Sequence, residues 1–188
     1  MAARILVFAG STRRASLNRQ LAAVVAASIQ AAGGSATLIE LADYDMPLYQ
    51  GDWESDHGVP EAARRLSSLL IEHDGLAIAS PENNASISAL TKNTLDWLSR
   101  VNGGQALQGK VALLTAASPG ALGGMRGLNH LRDILHTLGV LTLPRTLALG
   151  RANEAFAADG RLSNDHTQVQ LDALAAQLVT VAGSLAQR

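Results

Sequence analysis

A chain of 188 residues suits one domain with a sizeable core, and 15 basic against 16 acidic side chains give a formal charge of −1, too little field for nucleic acid or a membrane surface. The absence of cysteine removes disulfides, thiolate nucleophiles and thiolate metal sites, and it suits a cytoplasmic protein. With 47% hydrophobic but only 3% aromatic residues, the core has to come from aliphatic packing between helices and a sheet. The N-terminus lacks the basic-then-apolar layout of a signal, and no uninterrupted apolar run nears about 18 residues, so a soluble protein without a membrane partner is expected.

Residues 4–9, Arg-Ile-Leu-Val-Phe-Ala, form the short apolar run of a buried parallel strand. Gly-Ser-Thr-Arg-Arg-Ala-Ser-Leu-Asn follows at 10–18 without a spacer. Gly10 permits a sharp turn, Ser11, Thr12, Ser16 and Asn18 carry short polar groups, and Arg13 brings a guanidinium fork. Leu17, Leu21, Val24, Val25, Ser28 and Ile29 then recur at helical spacing up to Gly33-Gly34, which predicts a helix over 16–32 whose free N-terminal amides serve the same turn. On local chemistry alone this turn is either an anion site or an ordinary strand–helix junction in which Ser16 caps the helix.

A second strand is expected at 36–41, followed by a turn-rich loop over 43–60 whose carboxylates and His57 match no metal-ligand spacing. A helix over 61–73 leads to a third strand at 76–79, and Ser80-Pro81-Glu82-Asn83-Asn84-Ala85-Ser86 forms a loop before a helix that reaches Arg100. Strand four lies at 110–116. A second glycine-rich turn, Ser118-Pro119-Gly120-Ala121-Leu122-Gly123-Gly124, opens a helix carrying Leu128, Leu131, Ile134, Leu135 and Leu138 and closed by Gly139. Strand five is expected at 140–143, resuming after Pro144 at 146–149. Residues 156–162 read as a short helical turn with a polar hairpin, and a last helix spans 165–186.

Five alternations of strand and helix imply an α/β three-layer sandwich, with a five-stranded parallel sheet and helices on both faces. In the flavodoxin-like order 2-1-3-4-5 the ligand crevice lies at the carboxyl ends of strands 1 and 3, where the order reverses. The loops at 10–18, 81–86 and 118–124 all fall at such strand ends, so one ligand would meet all three. Residues 1–188 contain neither a Gly-x4-Gly-Lys-Ser/Thr loop, nor a Gly-x-Gly-x-x-Gly after the first strand, nor a Gly-x-Ser-x-Gly elbow, which leaves a mononucleotide such as FMN as the leading candidate.

The same segments resemble the NAD(P)H-dependent FMN reductases of flavodoxin-like fold, a family that includes quinone, chromate and azo-dye reductases. Gly10-Ser11-x-Arg13-x-x-Ser16-x-Asn18 is similar to the family's phosphate loop, and Pro47-Leu48-Tyr49 to its segment after strand 2. Ser80-Pro81-Glu82 with Asn84, Lys92-Asn93-x-x-Asp96-Trp97, and Ser118-Pro119-Gly120 with Gly123, Gly124 and Arg126 are similar to three further blocks. The chain departs from the family at Asn83, where a tyrosine is usual.

The resemblance implies a single FMN-binding domain over 1–188, with NADPH or NADH as hydride donor and a small acceptor such as free flavin, a quinone, an azo dye or chromate. It implies that Ser11, Arg13, Ser16, Leu17 and Asn18 hold the phosphate, that the backbone of Pro81, Glu82, Asn83 and Asn84 meets the ring, and that Ser118, Gly120, Gly123 and Gly124 complete the pocket. No side chain is required as acid or base, because the cofactor carries the chemistry. A homodimer or homotetramer is expected. Two other classes remain open on the sequence: a flavodoxin-like electron carrier, and a flavin-free binding protein of the same fold. Lys92 with Asp96, Trp97 and Arg126 are read as structural, and Arg14 or Arg19 as candidates for a 2′-phosphate.

Overall fold

The computed structural model describes residues 2 to 186. Among these, the elements run β1 (Arg4–Ala9), α1 (Leu17–Ala31), β2 (Ser35–Ile39), α2 (Gly51–His57), α3 (Glu61–Ile71), β3 (Gly75–Ala79), β4 (Glu82–Asn83), β5 (Ser86–Ile87), α4 (Ala89–Arg100), β6 (Val111–Ala117), α5 (Met125–Thr137), β7 (Leu141–Thr142), β8 (Leu147–Leu149) and α6 (Asp165–Ala186). The main sheet is parallel in the order β2-β1-β3-β6-β7, and β8 also pairs with β6. With β6 as fourth strand and β7 and β8 sharing the fifth place, this is the flavodoxin-like order 2-1-3-4-5.

Both faces of the sheet are covered, which is why its central strands β1, β3 and β6 are near-continuous apolar runs rather than alternating ones. Ile5, Val7 and Ala9 point into one core with α1 and α6, and Leu6 and Phe8 into a second with α3, α4 and α5. β3 and β6 divide in the same way, Ala77 and Leu113 toward the first core, Ile78 and Leu114 toward the second. Helix α6 is long and apolar enough to cross a membrane by length and composition, its best window averaging a hydropathy of 1.4. Its apolar side is already used, since Leu171, Leu174, Ala175, Leu178 and Ala182 are packed in the first core.

Three stretches differ from what the sequence pattern predicts. Residues 43–60 are not one loop: they contain α2, capped by the Gln50 side chain, which accepts from the Trp53 N–H at 2.5 Å, and ended by Gly58 at φ +75°. The polar composition of α2 hides it, and packing of Trp53 edge-on against the fully buried Trp97, ring centres 5.6 Å apart, holds it in place. Residues 80–86 contain a hairpin, β4 with β5, rather than a plain loop. The helical turn expected within 156–162 lies earlier, at Ala152–Glu154, while the polar hairpin expected there is present and closed by an antiparallel bridge from Phe156 to Leu162.

The expected break in strand five is present. Leu141 pairs with Val111 and Leu147 with Thr115, so the register slips by two residues around Pro144, which has no N–H to give to the ladder.

Candidate functional site

At the carboxyl ends of β1, β3 and β6 lies a cleft of about 350 Å³, lined by Gly10, Ser11, Arg13, Ser16, Leu17, Asn18, Pro81, Glu82, Asn83, Ser88, Ala117, Ser118 and Pro119. It sits at the switch point of the sheet, where β1 is flanked by β2 on one side and β3 on the other. A larger cavity of about 610 Å³ lies at the far sheet edge, between the stretch around Pro144 and α6. Its only charged lining residue is Arg145. The smaller cleft is therefore where polar groups converge.

One wall is the turn from β1 into α1. Ser16 caps α1, its Oγ accepting from the Arg19 N–H at 3.4 Å. Leu17 and Asn18 are the first two helical residues, so their N–H groups have no acceptor within the helix and are open to a ligand. The Arg13 guanidinium is exposed and has no partner among the described residues. Gly10 is required by space: a Cβ there would lie 2.0 Å from Thr91 Oγ1 and 3.1 Å from Pro81 Cδ. That close approach lets Ser88, the cap of α4, donate from Oγ to the Gly10 carbonyl at 2.7 Å. Free N–H groups and a cationic fork lining one concavity have the donors and the charge that a dianionic group requires.

Asn18 occupies this wall differently from its neighbours. Its side chain is buried, Nδ2 donating to the Ala117 carbonyl and Oδ1 accepting from the Ala117 N–H, each at 2.9 Å. It straps the start of α1 to the end of β6, leaving only its backbone N–H for a ligand.

The opposite wall is the β4–β5 hairpin. Its turn residues Asn84 and Ala85 have φ of +51° and +67°. Glu82 lies in the cleft wall, yet its carboxylate is directed to the N-terminus of α5: Oε2 accepts from the Arg126 and Gly127 N–H groups at 3.0 and 3.2 Å, and Oε1 from Arg126 Nε at 2.8 Å. Burial works to raise its pKa, but the Arg126 guanidinium and the two backbone donors outweigh that and hold it below the usual carboxylate range. Gly127 lets the hairpin approach, since a Cβ there would lie 3.0 Å from the Ser86 carbonyl oxygen. Arg126 thus anchors the hairpin from the first turn of α5.

Of the residues assigned from sequence, Ser11, Arg13, Ser16, Leu17, Asn18, Pro81, Glu82, Asn83 and Ser118 line the cleft, whereas Asn84, Gly120, Gly123 and Gly124 do not. The last two glycines serve packing. At Gly123 (φ +63°) a Cβ would stand 2.5 Å from the Ala148 carbonyl carbon, and at Gly124 (φ +93°) 2.7 Å from Ala116 Cβ. Sequence reasoning missed Ser88, although a serine just before an apolar helical pattern signals a cap. Arg19 bonds Glu40 through Nε and Nη2 at 3.0 and 2.7 Å, so it is not free for a 2′-phosphate. Lys92 and Asp96 form the expected i,i+4 pair at 2.7 Å, and the Trp97 ring N–H donates to the Pro47 carbonyl at 2.7 Å. Among the described residues no three His, Asp or Glu side chains converge as metal ligands.

A doubly wound sheet with an anion-accepting turn at its switch point defines the class of a mononucleotide-binding α/β protein. Residues 3–154 match the family model of NADPH-dependent FMN reductases, and the chain belongs to that family. It is 33% identical over 172 residues to a 2-hydroxy-1,4-benzoquinone reductase of a Burkholderia species, covering 91% of each chain. It is 36% identical over 180 residues to an NAD(P)H-dependent FMN reductase of Pseudomonas aeruginosa, covering 91% of this chain and 92% of that one. FerB, a flavoenzyme NAD(P)H:(acceptor) oxidoreductase from Paracoccus denitrificans, superimposes with a TM-score of 0.83 at 27% identity, over 97% of this chain and 98% of its own. The protein is accordingly an NAD(P)H-dependent oxidoreductase with FMN as its cofactor.

Proposed function

We propose that the cleft binds FMN with its phosphate on the turn at residues 11–18, and that the protein passes electrons from NADPH or NADH to a small acceptor, a quinone or free flavin. The observation that carries the phosphate assignment is the set of donors without internal partners: the Leu17 and Asn18 N–H groups and the Arg13 guanidinium, all lining one concavity. They fit a phosphate dianion in number and charge. Bound FMN would supply the hydride chemistry, and the chain's part is to hold and orient it. Ser11, Arg13 and the α1 N-terminus bind its phosphate. The Pro81–Asn83 backbone and Ser118 flank the remainder, and polar groups facing a reduced ring stabilise the charge that builds there.

A quinone acceptor is favoured by the naming of the Burkholderia relative. The absence of cysteine and the need for NAD(P)H support a cytoplasmic protein, acting as one domain over 1–188. Assembly as a homodimer or homotetramer would cover exposed apolar side chains in the loops after β2 and β6, Leu48 at 78% exposure and Leu122 at 51%.

The test is spectroscopic. FMN titrated into the purified protein should bind, and NADPH or NADH added without air should bleach the flavin band. Arg13→Ala should weaken FMN binding about tenfold or more, the size of a lost charged hydrogen bond, while the folded chain keeps its melting temperature. Binding without bleaching would make the protein an electron carrier, and an unchanged FMN affinity in Arg13→Ala would remove the phosphate assignment.

A further inference from the structure

The side chains that line the cleft include neither Phe, Tyr nor Trp. A flat ligand at its mouth therefore has no aromatic wall, and what the chain presents instead is polar. Asn83 is exposed there, and its carboxamide has no hydrogen-bond partner among the described residues, leaving two N–H donors and a carbonyl acceptor unused. Its backbone, by contrast, is fixed. Asn83 pairs with Ser86 across the hairpin, and the preceding residue, Glu82, is tied to α5 by four hydrogen bonds of 2.5 to 3.2 Å. His130 on the next turn of α5 adds a contact from Nδ1 to Ser86 Oγ at 3.0 Å. The tethered backbone keeps this carboxamide at the cleft, where it faces solvent and is available to a partner that comes from outside the chain.

We propose that Asn83 is the residue that selects the electron acceptor, favouring quinones and conjugated carbonyl compounds that carry a hydroxyl or carbonyl group able to pair with its amide over analogues with an alkyl group in that place. This rests on the FMN reductase reading of the cleft. The acceptor takes two electrons and two protons, a hydride from the reduced cofactor and a proton from solvent. Asn83 binds and orients the acceptor and transfers nothing itself. An alkyl analogue leaves the amide facing an apolar group, so the site discriminates by the missing hydrogen bond.

The test compares wild type with Asn83→Leu, of similar volume without the polar atoms, and with Asn83→Gln, which keeps the amide. One readout is binding alone: 4-hydroxybenzaldehyde and 4-methylbenzaldehyde, neither of which accepts electrons from reduced flavin, are titrated into the oxidised FMN-loaded protein and followed by the flavin spectrum. The second is the ratio of kcat/KM for 2-hydroxy-1,4-benzoquinone to that for 2-methyl-1,4-benzoquinone. The expected result is a preference for the hydroxylated compound in both assays that falls about fivefold in Asn83→Leu, through KM, and is largely restored in Asn83→Gln. Preferences that are equal in wild type and Asn83→Leu overturn the proposal. Failure of the wild type to bind FMN or to be bleached by NAD(P)H is a different outcome, which removes the reductase reading itself.

Discussion

The two walls of the cleft are built in opposite ways. The turn after β1 follows from backbone direction: a buried strand ends, Gly10 turns, and α1 begins under its Ser16 cap, with the Asn18 side chain locking the start of the helix to β6. The hairpin facing it owes its place to side chains far away in sequence, chiefly the Glu82 carboxylate on the N-terminus of α5, and it keeps Ala85 at φ +67°. The first wall starts from a local strand, turn and cap that tertiary bonds then fasten, whereas the second has its place from tertiary attachment alone. The comparison teaches that two walls of one cleft can be specified in different ways and still be joined, here by the Ser88 hydroxyl on the Gly10 carbonyl.

The comparison is broken most severely at Asn18. Asn18→Ala should destabilise the protein by about 3 kcal/mol, since it leaves both the N–H and the carbonyl of buried Ala117 without partners. Urea unfolding checks this, and a loss below about 1 kcal/mol would show that the strap is dispensable. Glu82→Gln comes next. It should cost about 1–2 kcal/mol, moderated by the exposure of Arg126. Because the folded pKa of Glu82 lies below its ordinary value, its contribution is complete above the ordinary carboxylate range, near pH 4.3, and is lost as the pH falls through the folded value. The stability difference between wild type and Glu82→Gln should therefore shrink in acid, as thermal melts across that range would reveal. The smallest effect is expected at Ala85→Gly, which relieves a left-handed alanine in a two-residue hairpin turn and should stabilise by about 1 kcal/mol. A lower melting temperature in that variant would show that the hairpin is not strained.

How much of this was legible in the sequence follows the same division. The strands of the main sheet and the turn at residues 10–18 are written in local patterns, namely apolar runs, glycine stops and a serine cap, whereas the order 2-1-3-4-5 follows from the fold class that their alternation with helices implies. The helix at Gly51–His57 was not, because six of its seven residues, all but Glu54, rank low as helix formers and what stabilises it is Trp53 packed on Trp97, a contact across some forty positions. The hairpin was hidden for a related reason. Asn84-Ala85 lacks the glycine that usually marks such a turn, and the partner of Glu82 is Arg126, beyond any local window. Gly123 and Gly124 look like ligand-binding glycines in the sequence, and only the positions of Ala148 and Ala116 show that packing requires them.

The gap at Pro144 has a consequence for how the molecule behaves in a crowded solution. A sheet edge is a template on which a stray strand can grow, and the outer edge here is cut into segments of two and three paired residues by a proline followed by Arg145. Such segments offer a shorter template than the opposite edge, where β2 runs unbroken from Ser35 to Ile39. The last strand thus blunts one of the sheet's two edges.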